Sequence, residues 1–164
     1  MAEFVIQPQK QSEWCWAATA ASVAQYFDPT TTLEQCDVVN LLENVSDCCA
    51  NPSSYNQPAD LASAIQTVGC LRLSLDRALT FDELRQEIDA GRPVCAGIAW
   101  DSGGGHAVLI TAYNVLSSGS HHIHVEDPLN PSGDVDFDEF SNAYHGDGKW
   151  EATELLAVPR GVRL

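Results

Sequence analysis

The sequence predicts an α+β domain, with helices in the first half of the chain and an antiparallel sheet in the second. Ala-rich and amphipathic segments with capping signals fill the chain up to about residue 91. Short apolar or alternating segments, separated by Gly- and Ser-rich turns, follow from about residue 92. A chain of 164 residues is long enough for one domain with a sizeable core. We therefore expect a single domain over 1–164, helical over about 1–91 and β-rich over about 92–164.

Local signals place the helices of the first half. The stretch from Glu13 to Phe27 is Ala-rich, and capping-box patterns occur at 31–34 and 80–83. Pro58 suits the first turn of a third helix, and Gly91 suits the end of the fourth. The predicted helices span about 13–27, 31–42, 58–69 and 80–90, with a loop over 44–57.

The second half predicts strands. Apolar or alternating runs are broken by the turn sequences DSGGG and SSGS. The predicted strands span 94–100, 106–115, 122–126 and 150–158, with a short helix around 137–144. Trp100 and Trp150 are interpreted as core residues, or as a shield over a hydrogen bond between His106 and Asp127.

Charge limits the classes of partner. The chain carries 23 acidic and 8 basic residues, a net charge of −15. Such a surface repels phosphate backbones and anionic lipids, so no nucleic-acid or membrane partner is expected. The surplus favours either a basic partner or simple solubility. No cleavable signal peptide is visible, and the chain could be an excised domain or be exported by another route.

Six cysteines have different predicted roles. If Cys15 is a working thiol, the remaining five cannot all pair. Cys95 lies in the apolar run PVCAGIAW and is interpreted as a core residue. The other four are either disulfide partners or reduced buried thiols, and the sequence leaves their pairing open. These four are Cys36, Cys48, Cys49 and Cys70.

Four residues form a candidate catalytic set. Cys15 falls at the start of the first helix, where the helix dipole and free N–H groups favour a thiolate. His106 follows three glycines at the mouth of a strand and is the candidate base. Asp127 ends the next strand and could orient that imidazole. Gln9, six residues before Cys15, could donate to an oxyanion together with the Cys15 backbone N–H.

These residues resemble the papain-like cysteine peptidase superfamily. The similarity extends over about 7–159, and its compact bacterial members, double-glycine peptidases and delivered effector proteases, are the most similar. The motifs that carry it are Gln9, CWAA at 15–18, GHAV at 105–108 and DP at 127–128. WCWAA, Gln35-Cys36 and the Cys48-Cys49 pair resemble the effector branch.

The resemblance implies a role for each residue. Cys15 would be the nucleophile, His106 the general base and acid, Asp127 the orienting residue and Gln9 the oxyanion donor. Two departures stand out: the Cys–His separation is shorter than in the plant enzymes, and Asp replaces their Asn. Trp14, Gly104 and Gly105 are expected along the substrate groove.

No metal or cofactor is expected. His122 and His124 would share a strand face next to His121, but no Cys-x-x-Cys or matching carboxylate completes a zinc site. The acidic run at 134–139 lacks the Gly and the final Glu of a calcium loop and is interpreted as a solvated edge.

The leading functional hypothesis is a cysteine endopeptidase that cleaves a target protein next to glycine. The resemblance implies a secreted toxin that acts in another cell's cytoplasm, or instead a peptide-processing enzyme detached from a transporter. We expect a monomer with a protein substrate and a cognate inhibitor protein. The alternatives are a Cys-dependent deamidase or transglutaminase toxin and an inert peptide-binding pseudoprotease.

Overall fold

A computed structural model describes residues 4–162, in which helices pack on both faces of one antiparallel sheet. The helices are α1 (Cys15–Phe27), α2 (Gln35–Glu43), α3 (Leu61–Thr67), α4 (Phe81–Asp89) and α5 (Phe137–Ala143), with a 3₁₀ turn at Pro52–Tyr55. The strands are β1 (Leu71–Leu75), β2 (Val94–Trp100), β3 (Gly105–Val115), β4 (His121–Glu126), β5 (Gly133–Asp136) and β6 (Gly148–Leu156). The predicted α+β class is confirmed.

The sheet separates two hydrophobic clusters. Its strand order is β1-β6-β2-β3-β4-β5, and every neighbouring pair is antiparallel. Cys95 and Leu109 face the cluster formed with α1, α2 and α3. Their neighbours Val94 and Val108 face the other cluster, which includes residues of α4 and α5. This alternation follows from the period of two in a β-strand.

The first helix starts two residues later than predicted. Trp14 is the N-cap and Cys15 the first helical residue. The Ala-rich sequence lets the helix pack closely, since ten of its 13 residues are buried. Cys15 itself is only partly buried, because it lies at the open end of the helix.

Two other helix starts differ from the predictions. For α2 the N-cap is Glu34 rather than Thr31, and the Asp37 carboxylate accepts a hydrogen bond from the Glu34 N–H at 2.8 Å. For α3 the N-cap is Asp60, whose carboxylate accepts from the Ser63 N–H at 2.9 Å, so Pro58 lies outside the helix. In both cases the helix starts later than predicted, at an acidic N-cap residue, and a carboxylate caps the free N–H groups. The predicted box at Thr80 and Glu83 is confirmed.

Two edge strands were missed. β1 lies within the half predicted to be helical, yet it pairs with β6. β5 lies in the acidic run interpreted as a solvated edge and pairs with β4. Both are short and partly exposed, so they lack the apolar runs by which the inner strands were recognised.

The cysteines divide into one disulfide and four thiols. Cys36 and Cys49 are bonded to each other, which joins α2 to the following loop. Cys48, Cys70 and Cys95 are buried free thiols. Of the four cysteines whose pairing the sequence left open, two therefore form a disulfide and two are reduced. Burial raises the pKa of Cys70 to about 11, and burial raises that of Cys95 as well, so both thiols stay protonated and inert.

Candidate active site

Cys15 lies where a helix offers unpaired N–H groups. No side chain among the described residues caps α1, and the first intrahelical bond runs from the Ala18 N–H to the Trp14 carbonyl at 2.9 Å. The N–H groups of the first turn therefore have no partner within the helix. Together with the helix dipole they favour negative charge at the Cys15 sulfur.

His106 lies at the start of β3, next to Cys15. Its side chain is 4% exposed, and Nε2 is 2.8 Å from Asp127 Oδ1. Cys15 lines the same cleft as His106, and its side chain is close enough to raise the pKa of the imidazole. Because Asp127 occupies Nε2, Nδ1 is the nitrogen left for the thiol. The fold thus brings the predicted Cys15, His106 and Asp127 together at one site.

The charge on His106 is stabilised from both sides. Burial lowers the pKa of His106, but the hydrogen bonds to Asp127 and Cys15 and their charges outweigh burial and raise it to about 9. At neutral pH the ring is therefore an imidazolium. A protonated imidazole next to a sulfur is the arrangement that stabilises a thiolate.

Asp127 is surrounded by donors. Oδ1 accepts from His106 Nε2 and from the N–H groups of Leu129 and Asn130, at 2.8 and 2.9 Å. Oδ2 accepts from Asn130 Nδ2 at 3.2 Å and from the Tyr144 hydroxyl at 2.7 Å. Burial raises the pKa of Asp127, but His106 and these donors outweigh it and hold the pKa well below its usual range. The carboxylate is therefore ionised and held in a fixed orientation.

Aromatic rings cover the His106–Asp127 pair. The Trp100 ring stacks on His106 at 5.8 Å between centroids, and on Tyr144 at 6.3 Å. Trp150 does not cover the pair; it is packed against Phe140 in the core and donates to Thr153. Of the two roles considered for these tryptophans, Trp100 fits the shield and Trp150 the core.

Gln9 is held close to both ends of the site. Its N–H donates to the Pro128 carbonyl at 2.9 Å, directly after Asp127. Its side-chain amide donates to the carbonyls of Gln11 and Ser12, at 3.1 and 2.8 Å, in the loop before α1. Its Oε1 is buried and has no hydrogen-bond partner within residues 4–162. Both amide hydrogens are thus engaged, and donation to an oxyanion would require one to change partner.

A buried glutamine anchors the segment that carries Gln9. Gln35, at the start of α2, accepts from the Lys10 N–H at 3.0 Å and donates to the Pro8 carbonyl at 2.9 Å. The Ile6 N–H donates to Glu126 at 2.9 Å, one residue before Asp127. These bonds hold the segment between α2 and the end of β4.

A cleft of about 390 Å³ contains Cys15 and His106. Small residues of three strands form one wall, and the chain before α3 forms the other. The lining residues are Glu13, Cys15, Trp16, Pro58, Ala59, Asp60, Leu61, Gly97, Ile98, Ala99, Gly105, His106, Ala107, Glu151 and Ala152. Three of them are carboxylates, and none of these lining residues is Lys or Arg.

The groove predictions are corrected in part. Gly105 lines the cleft, but Trp14 and Gly104 do not. Trp14 is 1% exposed, and its indole N–H donates to the Tyr55 carbonyl, so it belongs to the core. Trp16 lines the cleft instead. Gly104 lies in the turn with a φ of 80°, a conformation that glycine adopts without strain.

Two of the three histidines considered for zinc are engaged elsewhere. His124 forms ion pairs with Asp134 at 2.7 Å and with Glu126 at 2.9 Å, so both of its ring nitrogens are occupied. His121 stacks on Phe81 at 3.8 Å. In the described part of the chain, one group of metal-binding side chains comes within 4.8 Å: Glu34, Cys36, Asp37 and Cys49. Its two sulfurs are bonded to each other.

The fold and the site define a papain-like cysteine protease. The family model described as "Papain-like cysteine protease AvrRpt2" matches residues 2–145, which include Cys15, His106 and Asp127. The chain belongs to this family. The resemblance seen in the sequence, and the predicted enzyme class with its protein substrate, are therefore confirmed, and the effector branch is the one that matches.

Other comparisons are more distant. The crystal structure of the Pseudomonas avirulence protein AvrPphB aligns with 93% of this chain and 96% of its own, at 10% identity and a TM-score of 0.39. No curated protein matches the sequence. In the part of the chain described, no helix is long and apolar enough to cross a membrane.

The sequence analysis missed several residues at the site. Trp16 was not predicted at the groove, although it lines the cleft. Tyr144 and Asn130 carry no sequence signal, because their role depends on tertiary contact with Asp127. Gln35 was noted only as part of a resemblance; a buried glutamine becomes informative once its burial is known.

Proposed function

We propose that this protease is an endopeptidase in which Cys15 is the nucleophile, His106 the general base and acid, and Asp127 the residue that orients the imidazole. The observation that carries the proposal is that Cys15 and His106 line one cleft, where Cys15 raises the pKa of the imidazole and His106 Nε2 is 2.8 Å from Asp127 Oδ1. Nucleophile, base and orienting group in hydrogen-bond contact are the signature of covalent acyl transfer.

The reaction proceeds in two steps. The Cys15 thiolate attacks a backbone carbonyl carbon, and the carbonyl oxygen becomes an oxyanion. His106 then donates its proton to the amide nitrogen as the C–N bond breaks, which releases the amine and leaves a thioester. A water molecule, deprotonated by His106, attacks the thioester, and the carboxylic acid product leaves as Cys15 regains its thiolate.

The oxyanion requires donors. The N–H of Cys15 and the amide of Gln9 are the candidates, since the former belongs to the open first turn of α1. In the substrate-free enzyme Gln9 donates to two carbonyls of the loop before α1. We propose that, when substrate binds, one of these two N–H groups leaves its carbonyl partner and donates a hydrogen bond to the oxyanion.

The substrate is proposed to be a protein cut directly after glycine, inside a cell into which the enzyme is delivered as a toxin. Membership of an effector-type protease family supports delivery. The resemblance of the sequence to double-glycine peptidases supports the glycine. A producing cell would need protection, so a tight-binding inhibitor protein is also proposed. The acidic cleft and the net charge of −15 favour basic surfaces on either partner.

New protein termini provide the test. A cell lysate is incubated with the wild-type protein or with Cys15→Ala, and new N-termini are identified by mass spectrometry. The proposal expects wild-type-specific termini that follow glycine. Random termini, or identical sets with both proteins, contradict it. A mass increase of one unit on an intact partner would instead indicate deamidation.

A further inference from the structure

A hydroxyl group reaches Asp127 from a remote part of the chain. Tyr144 follows α5, and its hydroxyl donates to Asp127 Oδ2 at 2.7 Å. The other donors to this carboxylate are His106 and the adjacent loop residues Leu129 and Asn130. Among the described residues, Tyr144 therefore ties the carboxylate to a separate element of the fold.

The chemistry of Tyr144 permits only one direction for this bond. The residue is 5% exposed, and burial followed by the Asp127 charge raises the pKa of its phenol well above the usual value. The phenol is neutral wherever the protein is folded, and its single proton points at an ionised carboxylate. Because Oδ1 and Oδ2 belong to one rigid plane, fixing Oδ2 also fixes the Oδ1 that faces His106.

The Tyr144 ring is itself held in place. Its backbone exchanges two hydrogen bonds with Gly148, at 2.8 and 2.9 Å, and its ring packs against Phe140 at 5.0 Å and Trp100 at 6.3 Å. A Cβ on Gly148 would lie 2.7 Å from Trp100 and 2.9 Å from the Tyr144 carbonyl oxygen. Glycine at this position allows the two rings to lie together, so the phenol is fixed before any substrate binds.

We propose that Tyr144 is a positioning residue for catalysis: it fixes the Asp127 carboxylate so that this group holds His106 as the protonated partner of Cys15. The proposal rests on the catalytic roles proposed above. Tyr144 lies outside the cleft lining and acts through Asp127. Its loss should weaken the imidazolium–thiolate pair without removing any group that meets the substrate.

Loss of the Tyr144 hydroxyl should raise the pH at which the Cys15–His106 ion pair forms. Without the hydroxyl, Asp127 loses one of the donors that hold its pKa low, and its plane is free to turn away from His106. The ring is then held less firmly against Cys15, so its charge stabilises the thiolate less and the ion pair forms only at higher pH. A hydrogen bond to a charged group contributes enough free energy to shift the pH dependence of Cys15 alkylation by about half a pH unit to one pH unit.

Alkylation of Cys15 by iodoacetamide, followed against pH by mass spectrometry, measures the pair directly and needs no substrate. For Tyr144→Phe, we expect labelling at about pH 5.5 to be roughly three- to tenfold slower than in the wild type. Near pH 9.5 the rates should coincide, since any accessible thiol ionises there. Tyr113→Phe is the matched control, because its hydroxyl donates to Asp89 far along β3 from the site; its profile should equal that of the wild type.

A double-mutant cycle separates positioning from packing. In an Asp127→Ala background, Tyr144→Phe should not slow Cys15 labelling at low pH any further, because the carboxylate on which Tyr144 acts is absent. An unchanged profile for Tyr144→Phe, an equal slowing at every pH, or a full effect in the Asp127→Ala background overturns the proposal. If the wild type itself shows no labelling below about pH 6, the proposed roles of Cys15 and His106 fail instead.

Discussion

The two sides of the catalytic site differ in how completely their polar groups are satisfied. On the imidazole side, His106 and Asp127 are nearly inaccessible, His106 Nε2 is bonded to Asp127, and both Asp127 oxygens accept hydrogen bonds. On the sulfur side, Cys15 is partly exposed at an uncapped helix end, where the first-turn N–H groups have no partner within the helix.

This difference corresponds to what each side must do. A base has to be oriented before the substrate arrives, and reorientation during the reaction would cost rate. Oxyanion donors must instead be available to an atom that comes with the substrate. The completed hydrogen bonds of one side and the open groups of the other thus indicate a site that is rigid at the base and receptive at the nucleophile.

The largest effect is expected from removing the sulfur. Cys15→Ala should lower the rate of proteolysis by about 10³-fold or more, since no nucleophile remains, while the melting temperature stays nearly unchanged. Rates of cleavage of a captured substrate, together with thermal unfolding, would measure both.

Cys95→Ala is the matched control for the sulfur. This thiol is fully buried in the core and is not among the residues that line the cleft. We expect it to lose roughly 1 kcal/mol of stability and to keep its activity. Activity retained by Cys15→Ala, or abolished by a folded Cys95→Ala, would contradict the assignment.

The receptive side is tested at Gln9. Gln9→Ala should reduce kcat by about 10²-fold, the usual effect of losing one oxyanion donor, with little change in KM. Gln11→Ala serves as the control, because it is the same change on the same segment and keeps the carbonyl that Gln9 contacts. Equal kinetics for the two variants would show that Gln9 serves only to hold the loop.

The rigid side is tested at Gly148. Gly148→Ala places a methyl group 2.7 Å from Ile98 and Trp100, so the rings over His106 must shift. We expect a loss of about 2 kcal/mol in stability, measured by urea unfolding, and about tenfold in activity. Gly133→Ala, at a site where a Cβ meets nothing within 4 Å, should change neither by much.

The smallest effect concerns the dependence of stability on pH. The folded-state pKa of His106 is raised to about 9, above the ordinary 6.5, so its contribution is complete below about pH 6.5 and is lost as pH rises through 9. The free energy of unfolding should fall by on the order of 2 kcal/mol over this interval. Asp127→Asn should flatten the decline, and an equally steep decline in that variant would contradict the role of the pair.

The sequence predicted the parts of the molecule that depend on local signals. The ends of β2, the capping box at Thr80 and the approximate ends of α1 follow from short-range pattern, as does the order of Cys15, His106 and Asp127 along the chain. The predicted catalytic residues could be grouped because each lies at the end of a helix or strand, where local sequence is informative.

The remaining features depend on contacts that sequence alone does not display. Trp14 was expected along the groove and Trp16 was not, and only the helix start at Cys15 decides that Trp16 lines it. The contact of Tyr144 with Asp127 depends on the hairpin around Gly148, which no local pattern predicts. The edge strands β1 and β5 were missed because they form through hydrogen bonds to a neighbouring strand and have no apolar run of their own.

The central claim is that His106 is held as a charged imidazolium next to the Cys15 sulfur. Nitrogen-15 NMR of the histidine side chains measures this directly, with the His106 resonance assigned from a His106→Gln variant. The account predicts that both ring nitrogens of His106 carry a proton at pH 7 and that the ring titrates near 9. A ring that is neutral at pH 7 in the wild-type protein would contradict it.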